Sequence, residues 1–163
     1  MTANQQAPLH IVFVCTGNIC RSPMAEVIVQ DHLEREGLDA KVRTSSCGIG
    51  GWHIGQSADS RALAELSRAG YDGSAHRASQ LGEEHADADL LIAMDLGHKD
   101  SLIDAGFAPE RIRLMRSFDE NSPSDAVVED PYHGDESEFT RTREEIESAL
   151  PGLLTWIRNQ QDS

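Results

Sequence analysis

Leu9-His10-Ile11-Val12-Phe13-Val14-Cys15-Thr16-Gly17-Asn18-Ile19-Cys20-Arg21-Ser22-Pro23 runs from an apolar segment through a short polar turn into a helical pattern. The apolar run Leu9 to Val14 has the length and the β-branched content of a buried strand. Downstream, Ala25, Ile28, Val29 and Leu33 recur at helical spacing, with Ser22 read as the helix N-cap and Pro23 as its first residue. Three further apolar segments, Val42 to Ser45, Asp89 to Met94 and Arg111 to Met115, read as strands. Helical patterns separate them at about Ala58 to Ala69 and Gly97 to Ala105. A last helix spans about Phe139 to Arg158, with a break expected at Pro151. Such alternation specifies a parallel sheet covered by helices on both faces, an α/β architecture of one domain. The single domain is read over 9–159, behind a short polar tail over 1–8.

In parallel sheets of this kind ligands gather at the carboxyl ends of the strands, so the turn after the first strand is the place to look for chemistry. That turn begins at Cys15. The N–H groups at the start of the following helix carry partial positive charge, and Gly17 and Asn18 are residue types that accept the positive φ an anion-cradling turn needs. Thr16, Gly17, Asn18, Ile19, Cys20, Arg21 and Ser22 are therefore the candidate phosphate-binding segment. Arg21 offers a planar fork for two phosphate oxygens, which a lysine ammonium cannot reproduce. Cys15 shares the positive field of the turn, which favours a nucleophilic thiolate, and Ser22 is placed to donate a hydrogen bond to its sulfur.

Composition narrows the partners. The 163 residues carry 28 acidic and 14 basic side chains, a formal charge of -14, which disfavours nucleic acid and acidic membrane surfaces. No apolar run approaches the roughly 20 residues of a membrane helix. Met1 to Pro8 is polar and lacks the basic start and apolar core of a secretory signal, so the expected compartment is the cytoplasm, with signal-less export the alternative. Cys15, Cys20 and Cys47 are odd in number and lack zinc-type spacing, and the seven histidines show no paired metal spacing. Neither metal nor cofactor is expected, and monomer is the default state. Gly48-Ile49-Gly50-Gly51 is no dinucleotide fingerprint, because His53 stands where the pattern needs a third glycine and no helix begins there.

Cysteine, five intervening residues, arginine and serine between strand and helix is far more specific than a lone glycine-rich turn. With Ser46, Gly51-Trp52-His53-Ile54-Gly55, Ala93-Met94-Asp95 and Glu129-Asp130-Pro131-Tyr132, this pattern resembles the low-molecular-weight protein tyrosine phosphatases over nearly the whole chain. The resemblance implies a four-stranded parallel sheet of flavodoxin-like type, no metal, and a phosphotyrosine-containing protein as substrate. It implies Cys15 as nucleophile, Arg21 as phosphate ligand and Asp130 as general acid; a phenolate leaving group does need a proton from a second loop. It places aromatic slot walls at Trp52 and Tyr132, and gives Ser46 and His76 the task of holding Asn18 in its strained conformation. His133 departs from the second aromatic that many members carry at that position. Cys20, inside the cradle, reads as a thiol that could protect Cys15 as a reversible disulfide, while Cys47 has no evident task.

Three rivals share parts of the pattern. A thioredoxin-coupled arsenate reductase needs two more cysteines on a mobile segment, and 77–97 contains none. A protein arginine phosphatase typically has threonine where Ile19 stands. A catalytically silent phosphate-binding module would be expected to lack Cys15 or Asp130, and both are present.

Overall fold

The computed structural model describes residues 8–161. All of the expected tail except Pro8 lies outside the described residues. Strand β1 (Leu9–Cys15) leads into helix α1 (Arg21–Arg35), then β2 (Val42–Gly48), α2 (Ser60–Arg68), β3 (Leu90–Ala93), α3 (Leu96–Asp104), β4 (Ile112–Leu114) and α4 (Glu136–Gln161). The strands form one parallel sheet in the order β2-β1-β3-β4. The chain leaves β1 to one side for β2 and returns on the other for β3. The carboxyl end of β1 therefore lies where the strand order reverses, the crevice in which open α/β sheets bind ligands.

Both faces of the sheet are covered. On one, Ile11 and Phe13 of β1 pack with Ile28 and Leu33 of α1, Leu66 of α2, and Ile146 and Leu153 of α4. On the other, Val12, Val14 and Leu91 meet Leu102 of α3, with Ala88 and Leu114 closing the layer. The alternation of β1 between these two cores explains why its sequence is apolar without a break from Ile11 to Val14 rather than alternating.

Two local expectations are corrected. Helix α1 begins at Arg21, so Ser22 lies inside the first turn; its hydroxyl bonds to the Cys15 sulfur and no side chain caps the helix. Pro151 does not break α4, which continues through it to Gln161. A proline removes one N–H bond, but here the helix is held by tertiary packing on both sides of it, with Ile146, Leu150, Leu153 and Ile157 all buried. Gly152 shows how close that packing is: a Cβ there would lie 1.9 Å from the Phe118 carbonyl oxygen.

Candidate active site

The turn from Cys15 to Arg21 closes over the end of the sheet. Its carbonyls at Cys15 and Thr16 accept N–H bonds from Ile49 and Gly50, at 2.9 and 3.0 Å. Gly48 permits that approach, since a Cβ would come within 2.9 Å of the Gly17 backbone. Asn18 is the one described non-glycine residue with positive φ, at 60°. It is fully buried, and three side-chain bonds hold it there: Oδ1 accepts from the Ser79 N–H at 2.8 Å, and Nδ2 donates to Ser22 Oγ at 2.8 Å and Ser46 Oγ at 3.0 Å. His76 Nε2 donates to the Asn18 carbonyl at 2.8 Å, and Ser46 donates in turn to Glu26. Strain of this kind persists only where surroundings over-determine it. Ser46 and His76 thus both contact Asn18 directly.

Cys15 is 2% exposed, with Sγ 2.9 Å from Ser22 Oγ. Because Ser22 Oγ already accepts from Asn18, its own proton is free for a neighbour. The sulfur at 2.9 Å is nearer than the other candidate acceptor, the Cys47 carbonyl at 3.4 Å. With Cys15 ionised, Ser22 is the donor in this contact. Cys20 and Cys47 are also buried and free; burial first, then nearby negative charge, pushes both thiols up, so they stay protonated at neutral pH.

Arg21 is as buried as Cys15. Nη1 is anchored behind the cradle by Asp95 Oδ2 and the Val128 carbonyl, both at 2.9 Å, leaving Nη2 facing Thr16 Oγ1 at 3.3 Å and Asp130 Oδ2 at 3.6 Å. Asp95 follows β3 and caps α3, accepting the His98 N–H at 3.0 Å. Burial opposes its ionisation, but that N–H, His98 and Arg21 outweigh the burial and hold its carboxyl below the usual range. His98 is pushed down to about 4 by burial and by the nearby Arg21, so it is neutral at pH 7. Its Nδ1 accepts from the Asp95 N–H at 3.3 Å, which leaves the proton on Nε2, 2.9 Å from Thr16 Oγ1. The 3.2 Å approach of Nδ1 to Asp95 Oδ1 is therefore no ion pair at that pH.

Sequence reading named Asp95 only within a family motif and missed His98. Aspartate just after a strand, three residues before histidine, is a helix-start pattern that could have flagged both.

The second loop reaches the cradle through Val128, whose N–H donates to the Met94 carbonyl at 2.8 Å and whose carbonyl accepts from Arg21. Two residues on, Asp130 is 47% exposed, its Oδ1 accepting the Tyr132 N–H at 3.0 Å. A cavity of about 220 Å³ opens above the sulfur, lined by Cys15, Thr16, Gly17, Ile19, Cys20 and Arg21 beneath and by Trp52, His53, Asp130, Tyr132 and His133 at its mouth. Trp52, 71% exposed, lies on Gly50, and Tyr132 meets His133 edge-on at 5.0 Å between centroids. All the residues singled out for substrate contact thus line one cavity, apart from Asn18 and Ser22, which support its floor from below. No cluster of three or more metal-type ligands occurs among the described residues, and no helix among them is long and apolar enough to cross a membrane.

The family model for low molecular weight phosphotyrosine protein phosphatases matches residues 10–163. Low molecular weight protein-tyrosine phosphatase A of Mycobacterium tuberculosis is 51% identical over 151 residues, 92% of each chain. The crystal structure of YfkJ from Bacillus subtilis superposes with a TM-score of 0.85 at 34% identity, covering 96% of this chain and 98% of that one. YwlE, an arginine phosphatase whose Cys-to-Ser mutant carries a phosphorylated active-site serine, superposes at 0.82 with 32% identity over 92% and 96%. A cysteine at the foot of an arginine-bearing anion cradle, in a chain this similar throughout its length, belongs to the low-molecular-weight protein-tyrosine phosphatases, which hydrolyse phosphotyrosine through a phosphocysteine.

Proposed function

We propose that Cys15, Arg21 and Asp130 divide the reaction among them on phosphotyrosine presented by a protein. The observation that carries this is the convergence of a buried Cys15 sulfur with a hydrogen-bond donor aimed at it, the free edge of the Arg21 fork, and the Asp130 carboxyl over one cavity. The phosphoryl dianion sits on the helix-start N–H groups and Arg21 Nη2, where transition-state charge on the equatorial oxygens is met. The Cys15 thiolate attacks phosphorus; the S–P bond forms as the P–O bond to the tyrosyl ring breaks, and Asp130 gives its proton to the departing phenolate. Water then attacks phosphorus while Asp130 takes its proton, and the S–P bond breaks to return thiolate and inorganic phosphate. The donor at Ser22 stabilises that thiolate both before attack and as a leaving group.

Trp52 and Tyr132 supply flat apolar faces for the substrate ring, with His133 beside them as a polar edge. A slot of this kind supports phosphotyrosine over phosphoarginine, as does the branched apolar Ile19 in the cradle. The reading includes a monomer acting in the cytoplasm, consistent with three buried, unpaired cysteines. Hydrolysis of a phosphotyrosine peptide without added metal, beside a phosphoarginine substrate, tests it. Wild type should turn over phosphotyrosine and Cys15→Ser should not. Preference for phosphoarginine would move the substrate assignment to the arginine phosphatases, and an active Cys15→Ser would sink the mechanism.

A further inference from the structure

We infer that Arg61, outside the cradle and the slot, is a positioning residue that fixes the acid-bearing turn 130–134 against the cradle and thereby sets the reach of Asp130. The inference rests on the assignment of Asp130 as general acid. It starts at Asp59, whose N–H donates to the Ile19 carbonyl at 2.8 Å, tying the N-terminus of α2 to the cradle itself. Asp59 caps α2 and accepts both Nε and Nη2 of Arg61, at 3.0 and 2.9 Å. That two-bond grip fixes the plane of the guanidinium and points Nη1 across the gap to the Gly134 carbonyl, 3.0 Å away. The same plane lies 5.5 Å from the centroid of Tyr132 and 4.7 Å from that of Phe139.

Gly134 is the far end of the turn that Asp130 begins. Its N–H closes on the Pro131 carbonyl at 2.8 Å, while the Tyr132 N–H closes on Asp130 Oδ1. Arg21 and the Val128 carbonyl hold the near end of the segment. Beyond Val128 the turn lies over the slot with Asp130 and Tyr132 both largely exposed, and Arg61 is the strut that joins its far end to the cradle wall. Proton transfer demands placement within hydrogen-bond reach, and a displacement of about 1 Å can cost 10²-fold. Lysine keeps the charge yet cannot hold Asp59 with two bonds and Gly134 with a third from one rigid plane.

The measurement is kcat/KM for phenyl phosphate and p-nitrophenyl phosphate by wild type, Arg61→Ala and Arg61→Lys, with competitive inhibition by inorganic phosphate as a probe of the cradle alone. Phenolate needs the proton far more than p-nitrophenolate does. Arg61→Ala should lose about tenfold or more on phenyl phosphate and less than threefold on p-nitrophenyl phosphate, with phosphate inhibition within twofold of wild type, and Arg61→Lys should restore only part of the loss. Equal losses on the two substrates, or weakening of phosphate inhibition in step with turnover, would overturn the role, since either marks general damage to the site. Should Arg61→Ala fail to fold, the leaving-group contrast in Arg61→Lys decides alone. Asp130→Asn is run beside them on the same two substrates: equal losses in that variant would mark failure of Asp130 as the acid, whereas a leaving-group contrast in Asp130→Asn with none in the Arg61 variants would mark failure of this inference alone.

Discussion

Replacing His98 by glutamine removes a buried group that resists protonation while leaving an amide donor near the place of Nε2, which bonds to Thr16. The wild-type ring has an ordinary value of 6.5 in the unfolded chain and is held at about 4 in the fold by burial and by Arg21. Between these values the unfolded chain binds a proton that the folded one refuses, so wild-type stability falls as pH drops from about 6.5 to about 4 and this group contributes no further change below that. Linkage over this interval gives a loss of roughly 2 kcal/mol on going from pH 7 to pH 4.5. His85, also pushed down by burial, contributes in the same direction but equally in both proteins. Urea unfolding at the two pH values should therefore show the wild type losing roughly 2 kcal/mol more than His98→Gln. Parallel losses, within about 0.5 kcal/mol, would refute the claim that His98 is held neutral in the fold.

Asn18→Ala leaves the positive φ in place and removes three side-chain bonds. Turnover should fall at least tenfold with a loss of stability of about 2 to 4 kcal/mol, checked by kinetics and urea unfolding together. Asp130→Asn should lose about 10² in kcat/KM on phenyl phosphate and much less on p-nitrophenyl phosphate; equal losses would remove it as the acid. Tyr132→Ala should raise KM for aryl phosphates severalfold while leaving inhibition by inorganic phosphate unchanged, because the ring lines the mouth of the cavity.

The apolar run of β1 from Ile11 to Val14 and the cysteine-to-serine turn that follows it were legible because both are local: strand, turn chemistry and helix start lie within 9–23. What joins Thr16 to His98 across 82 positions, or Arg21 to Val128 across 107, was not legible, since it depends on β3 lying beside β1 and on a loop with little regular structure folding back over both. Pro151 misled for a related reason. Proline's local cost is visible in a sequence, whereas the packing of α4 against α1 and α2 that outweighs it is not. Arg61 looked like any exposed helix residue, and only the fold brings it to the turn 130–134.

The mechanism turns on a covalent bond between the Cys15 sulfur and phosphorus. Asp130→Ala should slow release of the phosphoryl group, so acid quenching of that variant during turnover of a phosphotyrosine peptide, followed by mass analysis of the peptide containing Cys15, tests the claim most directly. One phosphoryl group on Cys15 is expected, formed at the rate of phenol release and absent from Cys15→Ser. Turnover without any phosphorylated Cys15 peptide at the shortest quench times, or the phosphoryl group on another residue, would contradict it.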